Sequence, residues 1–194
     1  MKLKLAVLLS GTGRTLDNLH ACIQAKTLSA EICVVIADVE NALGLKKASG
    51  YGYPAFYAKN SADTNAILSG YQVDLICLAG YLKLYQPPVT LARRVLNIHP
   101  SLIPAFCGPG FYGHHVHEAV RARGCLVSGC TVHFADGLYD HGPIICQKAV
   151  ALGFDDTADA IAGKVFAAEC LAYPEAIGRI AQLGVDYFWA RAGQ

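Results

Sequence analysis

The sequence predicts an α/β protein: a doubly wound, mostly parallel sheet with helices on both faces and a C-terminal hairpin that adds one antiparallel strand. Three observations carry this. Continuous apolar runs of strand length recur up to residue 100, as in strands covered on both faces. Segments of helical pattern alternate with them, the rhythm of right-handed βαβ units. After residue 100 two strand-like runs follow one another with only a turn between them.

The runs "LKLAVLLS" (3–10) and "EICVVIAD" (31–38) are unbroken and apolar, and the stretch from Thr15 to about Ala25 between them is helical. A short strand near 54–58, a polar helix over 61–70 and the strand "VDLICLAG" (73–80) come next. A helix around 87–94 leads to the strand "VLNIH" (95–99). Its alternation puts Val95, Asn97 and His99 on one face and Leu96 and Ile98 on the other, before Pro100 halts it. A Gly/Pro/aromatic loop (100–113) precedes an amphipathic helix, "HHVHEAVRARG". The strands "VSGCTVHFAD" and "GPIICQKAVAL" are joined by the turn "DGLYDHGP" into a hairpin. A last helix, about 156–181, opens on Asp155, Asp156 and Thr157 and is apolar beneath.

A chain of 194 residues fits one domain with a full core. Hydrophobic residues make up 54% and charged residues 16%, which excludes a disordered tract. A formal net charge of +1 gives no general pull towards nucleic acid or an acidic surface. None of the eight cysteines forms a C-x-x-C pair, and Cys33 and Cys77 sit inside apolar runs. Reduced thiols in a cytoplasmic protein fit this better than a disulfide framework. The N-terminus imitates a signal peptide, but its apolar core ends at Leu9 and runs into glycines. No apolar stretch has the length needed to cross a membrane.

Two places carry chemistry. The first strand ends in "SGTGRTLDNL" (10–19), where Gly11, Gly13, Arg14 and Thr15 can wrap backbone N–H groups around an anion, with Thr15 near the helix N-cap. The loop lacks the G-K-[ST] ending of a nucleotide P-loop, and Leu16 stands where a dinucleotide fingerprint wants a small residue. A modest phosphate is the expected guest; Asp38, closing the second strand, keeps a dinucleotide reading open. In a doubly wound sheet ligands settle beyond the carboxyl ends of the strands. The segments 10–15, 79–85, 97–100 and 136–142 are expected there, the last carrying Asp140 before Gly142 and Pro143. Asn97, His99 and Asp140 at strand ends point to proton handling and oxyanion stabilisation rather than to a metal. His133 enters the same region on a strand and orients its neighbours. His114, His115 and His117 lack the spacing of a zinc site, and His20 reads as a helix-surface residue.

The strings "SGTGRTLDNL", "DLICLAGYLKLY", "LNIHPSLIPAF", "SGCTVHF" and "DHGPII", in this order, resemble the phosphoribosylglycinamide formyltransferases, folate-dependent enzymes of purine synthesis within the formyltransferase superfamily. The likeness spans nearly the whole chain, and N-x-H-P-S-L-x-P with a later D-x-G-P-I is its most specific part. It implies a Rossmann-like fold in a single domain, 1–194, with a ribonucleotide-binding half (1–100) and a folate-binding half (101–194). It implies catalytic roles for Asn97, His99 and Asp140, and ribonucleotide contacts from Gly11, Gly13, Arg14, Thr15 and Glu169. The folate segment falls on Leu82, Lys83, Leu84 and Tyr85, with Asn97 and the turn Asp136, Gly137, Leu138, Tyr139 and Asp140 at the pterin end. The expected partners are small molecules, with 10-formyltetrahydrofolate as co-substrate, no metal, nucleic acid or membrane, and a monomer or homodimer.

Departures from the family pattern are a longer "FCGPGFYGHHVHEAV" loop, His141 where small residues or Thr are commoner, and Phe166 one turn before Glu169, where some relatives contact the phosphate. The chain also stops soon after Trp189. A formyltetrahydrofolate hydrolase would share Asn97, His99 and Asp140 but usually carries a further N-terminal domain, and the tRNA and sugar-nucleotide formyltransferases append others. A nicotinamide-dependent reductase or a non-catalytic nucleotide-binding module would use the glycine loop and Asp38 and leave the Asn/His/Asp group unexplained.

Overall fold

The structure, a computed structural model, describes residues 2–193. The chain forms two compact units that meet in sequence between Asn97 and Ile98.

The first unit contains β1 (Leu3–Leu9), α1 (Arg14–Gln24), β2 (Ala30–Ala37), α2 (Leu43–Gly50), β3 (Ala55–Tyr57), α3 (Ser61–Leu68), β4 (Leu75–Leu78) and most of β5 (Val95–His99). Every pairing among these strands is parallel: β1 with β2 and β4, β2 with β3, β4 with β5. β1 lies inside this sheet, and Leu5, Ala6, Val7, Leu8 and Leu9 are fully buried. That is why the run is unbroken rather than alternating: both faces are covered, and each buried Leu or Val side chain contributes about 1.5–3 kcal/mol. Asn60 caps α3 by accepting the Asp63 N–H at 3.0 Å.

The second unit holds α4 (His114–Ala122), β6 (Val127–Phe134), β7 (Ile144–Ala151), α5 (Ala158–Leu183) and α6 (Val185–Arg191). β6 and β7 are antiparallel, as the short turn between them requires, with a register shift between Val132 and His133. α5 packs on both strands of the hairpin and on α4. Thr157 caps it through the Ala160 N–H at 3.2 Å. α6 seals the far end of the hairpin, with Phe134 5.6 Å from Trp189 and 6.1 Å from Phe188 between ring centroids. In the first unit the strand order is β3-β2-β1-β4-β5, and in the second β6 lies beside β7.

Four segments depart from the sequence expectation. Instead of a helix over 87–94 there is a single 3₁₀ turn, Val89–Leu91, because Pro87 and Pro88 supply no N–H and Pro88 is extended. The helices α2 and α6 were not expected. α1 begins at Arg14 with Gly13 in the N-cap position, so Thr15 lies inside the first turn and does not cap it. Among the described residues no helix is long and apolar enough to cross a membrane.

Candidate active site

β5 delivers His99 as its last residue, buried to 3% exposure, and Pro100 follows at once. Both ring nitrogens face acceptors. Nε2–H donates to the Phe106 carbonyl at 2.8 Å, and Nδ1 lies 3.4 Å from Asp140 Oδ2. His133, the penultimate residue of β6, is equally buried. Its Nδ1–H donates to the Phe134 carbonyl at 2.8 Å, which leaves Nε2 3.6 Å from Asp140 Oδ1. The Gly108 N–H donates to Asp140 Oδ2 at 2.9 Å. One carboxylate is thus held by two imidazoles and a backbone amide.

Asp140 reaches this place because the hairpin turn bends sharply. Its φ is 54°, left-handed for a residue with a side chain, a conformation that costs about 1–2 kcal/mol. Two residues on, a Cβ at Gly142 would meet the Phe134 carbonyl oxygen at 2.0 Å, so only glycine fits. Phe106, whose carbonyl faces His99, also has a positive φ, 48°. Strain of this kind collects where surrounding contacts hold it.

Burial is the largest influence on His99 and pulls its pKa below the ordinary histidine value; the Asp140 charge and the Phe106 carbonyl pull the other way. For Asp140 burial acts to raise the pKa, but the His133 bond, the His99 charge and the Gly108 N–H together outweigh it and hold the carboxyl low. Asp140 is therefore an anion at neutral pH. A proton arriving on His99 finds an acceptor at each nitrogen.

The loop after β5 is tied to the hairpin by residues the sequence reading missed. Thr131 Oγ1 donates to the Ser101 carbonyl at 2.7 Å and accepts from the Ile103 N–H at 3.1 Å. Gln147 Nε2 donates to the Ile103 carbonyl and to Thr131 Oγ1, both at 3.0 Å. Ser101 Oγ donates to the carbonyls of Ala105 and Phe106. Backbone carbonyls and amides have no residue signature, so Phe106 and Gly108 were not legible beforehand; an inward Thr131 two residues before His133 was the one available signal.

Of the other expected residues, Asn97 stands two positions before His99 on β5, half-buried. Glu169 lies on α5, close enough to Cys130 of β6 to help raise that thiol's pKa, and Phe166 is half-buried one turn before it. Asp136 is half-buried, while Gly137, Leu138 and Tyr139 are exposed at the tip of the turn.

In the first unit, Gly13 has φ 74°, and a Cβ there would lie 2.8 Å from Gly44 Cα. The close approach of α2, locked by the Gly44 N–H to the Gly11 carbonyl at 3.0 Å, accounts for this glycine by packing alone. Gly11, Arg14 and Thr15 sit around it at the N-terminus of α1, Gly11 and Arg14 exposed. After β4, Leu82 and Leu84 are exposed, whereas Tyr85 is buried with its hydroxyl on Asn65 Oδ1 at 2.6 Å. The Leu82 N–H is held by Ser10 Oγ at 3.0 Å. Asp38 is turned inward, 3.3 Å from Lys83 Nζ.

The remaining histidines divide. His117 is buried, and desolvation, helped by His114 and His99, lowers its pKa. His115 is exposed beside Glu118 at 3.2 Å. His20 is more than a surface residue: it stacks on Tyr51 at 3.8 Å and bonds the Tyr53 hydroxyl at 2.8 Å. Among the described residues no group of three or more His, Cys, Asp or Glu side chains is arranged to hold a metal ion.

Residues 3–177 match the formyl transferase family. The chain is 37% identical over 187 residues to the chloroplastic phosphoribosylglycinamide formyltransferase of Vigna unguiculata, covering 90% of this chain and 59% of that protein. It is 36% identical to the trifunctional purine biosynthetic protein adenosine-3 of Gallus gallus, over 95% of this chain but only 19% of that one. The chain therefore spans less than two thirds of either relative. The crystal structure of glycinamide ribonucleotide transformylase 1 from Symbiobacterium toebii superposes with a TM-score of 0.84 at 35% identity, covering 95% of this chain and 88% of that one. Matched by the family over most of its length, the chain belongs to the formyl transferase family.

Proposed function

We propose that the protein transfers the formyl group of 10-formyltetrahydrofolate to the amine of 5'-phosphoribosylglycinamide, a step of de novo purine biosynthesis. The observation that carries the reading is the His99–Asp140–His133 cluster, with a backbone carbonyl 2.8 Å from His99 Nε2 marking where an acceptor oxygen fits. The reaction needs such a donor. When the amine attacks the formyl carbon, negative charge collects on the formyl oxygen, which takes the place of the Phe106 carbonyl at His99 Nε2. Asn97 adds an amide N–H to the same oxygen, and one such donor is worth about 3–4 kcal/mol of barrier. Asp140 stabilises the imidazolium when a proton reaches His99 Nδ1, and takes the amine's proton through a water towards the departing folate nitrogen.

The glycine loop with Arg14 and Thr15 takes the phosphate, Glu169 makes a further contact to the ribonucleotide, and the exposed Leu82 and Leu84 take the apolar part of the folate. These roles belong to one formyltransferase domain of residues 1–194 that works in the cytoplasm as a monomer or homodimer. Asp38 counts against a reductase, since its carboxylate is buried against Lys83 rather than offered to a ribose. The deciding experiment is formyl transfer with and without the ribonucleotide. Consumption of the donor should require the ribonucleotide and yield the formylated amine; free formate released in its absence would identify a hydrolase instead.

A further inference from the structure

Asp140 needs its left-handed backbone to reach the two histidines, and most of the turn that carries it is exposed: Gly137, Leu138, Tyr139 and His141 all face solvent. A second carboxylate braces this turn from inside. Asp136 Oδ1 accepts the Leu138 N–H at 3.2 Å, and Asp136 Oδ2 lies 2.6 Å from His141 Nδ1. The second contact spans the turn, from the residue four before Asp140 to the residue directly after it. On its far side His141 adjoins Gly142, which is pinned against the Phe134 carbonyl, and Phe134 N–H is bonded to the Pro143 carbonyl at 2.9 Å. Asp140 is the residue enclosed between brace and pin.

We propose that His141 is a positioning residue: through Asp136 it holds Asp140 in the conformation from which the carboxylate meets His99 and His133. The His141 side chain is 56% exposed and that of Asp136 14%. So solvated a pair adds little to global stability. Its effect is on where Asp140 points. A carboxylate that wanders by an ångström loses His99, and misplacement on that scale costs up to about 100-fold in rate.

The kinetic test rests on the formyl-transfer reading; a titration test does not. His141→Ala should lower kcat about 10-fold and leave the KM of the amine substrate within about twofold. His141→Asn, whose amide N–H takes the place of Nδ1–H, should restore most of the loss. In an Asp140→Asn background, His141→Ala should cost nothing further, because its effect passes through the Asp140 carboxylate. Independently of substrate, the His99 ring followed by NMR should titrate about 0.5 lower in His141→Ala, since the nearby anion that favours its charged form is loosened. Asp136→Asn, which keeps the acceptor for Leu138, should reproduce that shift and serves if His141→Ala does not fold. An unchanged His99 titration in a folded variant, or an equal kcat loss with and without Asp140, overturns the proposal. A wild-type protein that transfers no formyl group would sink the functional reading and leave the titration test standing.

Discussion

At Asp140 the demands of folding and of chemistry fall on one side chain. The carboxylate is buried, charged and held by His99, His133 and Gly108. Removing its charge should leave both imidazoles without their anion. Asp140→Asn and His99→Ala are each expected to cut kcat by about 10²–10³-fold or more while ligand binding measured by calorimetry survives; wild-type turnover in either would remove the mechanism. The same groups set the acid limb of stability. Unfolded, the Asp140 carboxyl titrates near its ordinary ~3.9, and folded it titrates lower. Its contribution is therefore complete above the ordinary value and is lost as pH falls through the folded one. His99 also has a lowered folded pKa, so the unfolded chain takes up its proton first and stability drops as pH falls below about 6.5. Urea midpoints measured from pH 8 to 4 should decline from near 6.5 downwards in wild type. In His99→Ala the early part of that decline should be shallower, the remainder coming from His117, whose folded pKa is lowered as well.

The glycine loop and the hairpin turn show what an element can and cannot reveal in sequence. Gly13 and Gly11 read alike as letters, yet a Cβ at Gly13 meets Gly44 at 2.8 Å while one at Gly11 meets nothing within 4 Å. Gly13→Ala should destabilise by about 1–3 kcal/mol in urea unfolding, since it forces an L side chain into a left-handed backbone and a close contact. Gly11→Ala should stay near wild type in stability, and any change it makes should appear in the KM of the phosphorylated substrate. Equal destabilisation by both would mean that the Gly44 contact is not what the loop requires. The strands β1, β2 and β4 were legible because burial on both faces leaves an unbroken apolar run, and β5 because its residues alternate up to Pro100. α2 was not: its eight residues bury only Gly44 and Ala48, too little to show a periodic face. His99 and Asp140 were legible as polar side chains beside a chain reversal. Phe106 and Gly108, which complete the site, act through the backbone, and the Asp136–His141 brace depends on a turn geometry that residue types do not specify.

Across the whole molecule, none of the eight cysteines is in a disulfide, and their burial provides a separate reporter for each unit. Cys77 is buried in the first unit, Cys130 and Cys146 in the second. Burial, with a smaller push from Glu169, raises the Cys130 thiol to about 12, and burial raises Cys146 as well. Thiols react as thiolates, so these groups are protected twice, by exclusion of the reagent and by remaining protonated. The half-buried Cys22 and Cys125 are open to the reagent and should react first with a thiol reagent at neutral pH. Cys77, Cys130 and Cys146 should react only through opening of the unit that encloses them. Cys130 and Cys146 lie on the paired strands of one hairpin, so an opening that frees one frees the other. Once unfolded, both thiols return to ordinary acidity and lose the difference that distinguishes them when folded. Peptide mapping by mass spectrometry across a urea series should therefore give Cys130 and Cys146 one shared denaturant dependence. Labelling of Cys130 at the rate of Cys22 in the absence of urea would mean that the hairpin and α5 do not form the closed core described, and with it the platform that carries His133 and Asp140.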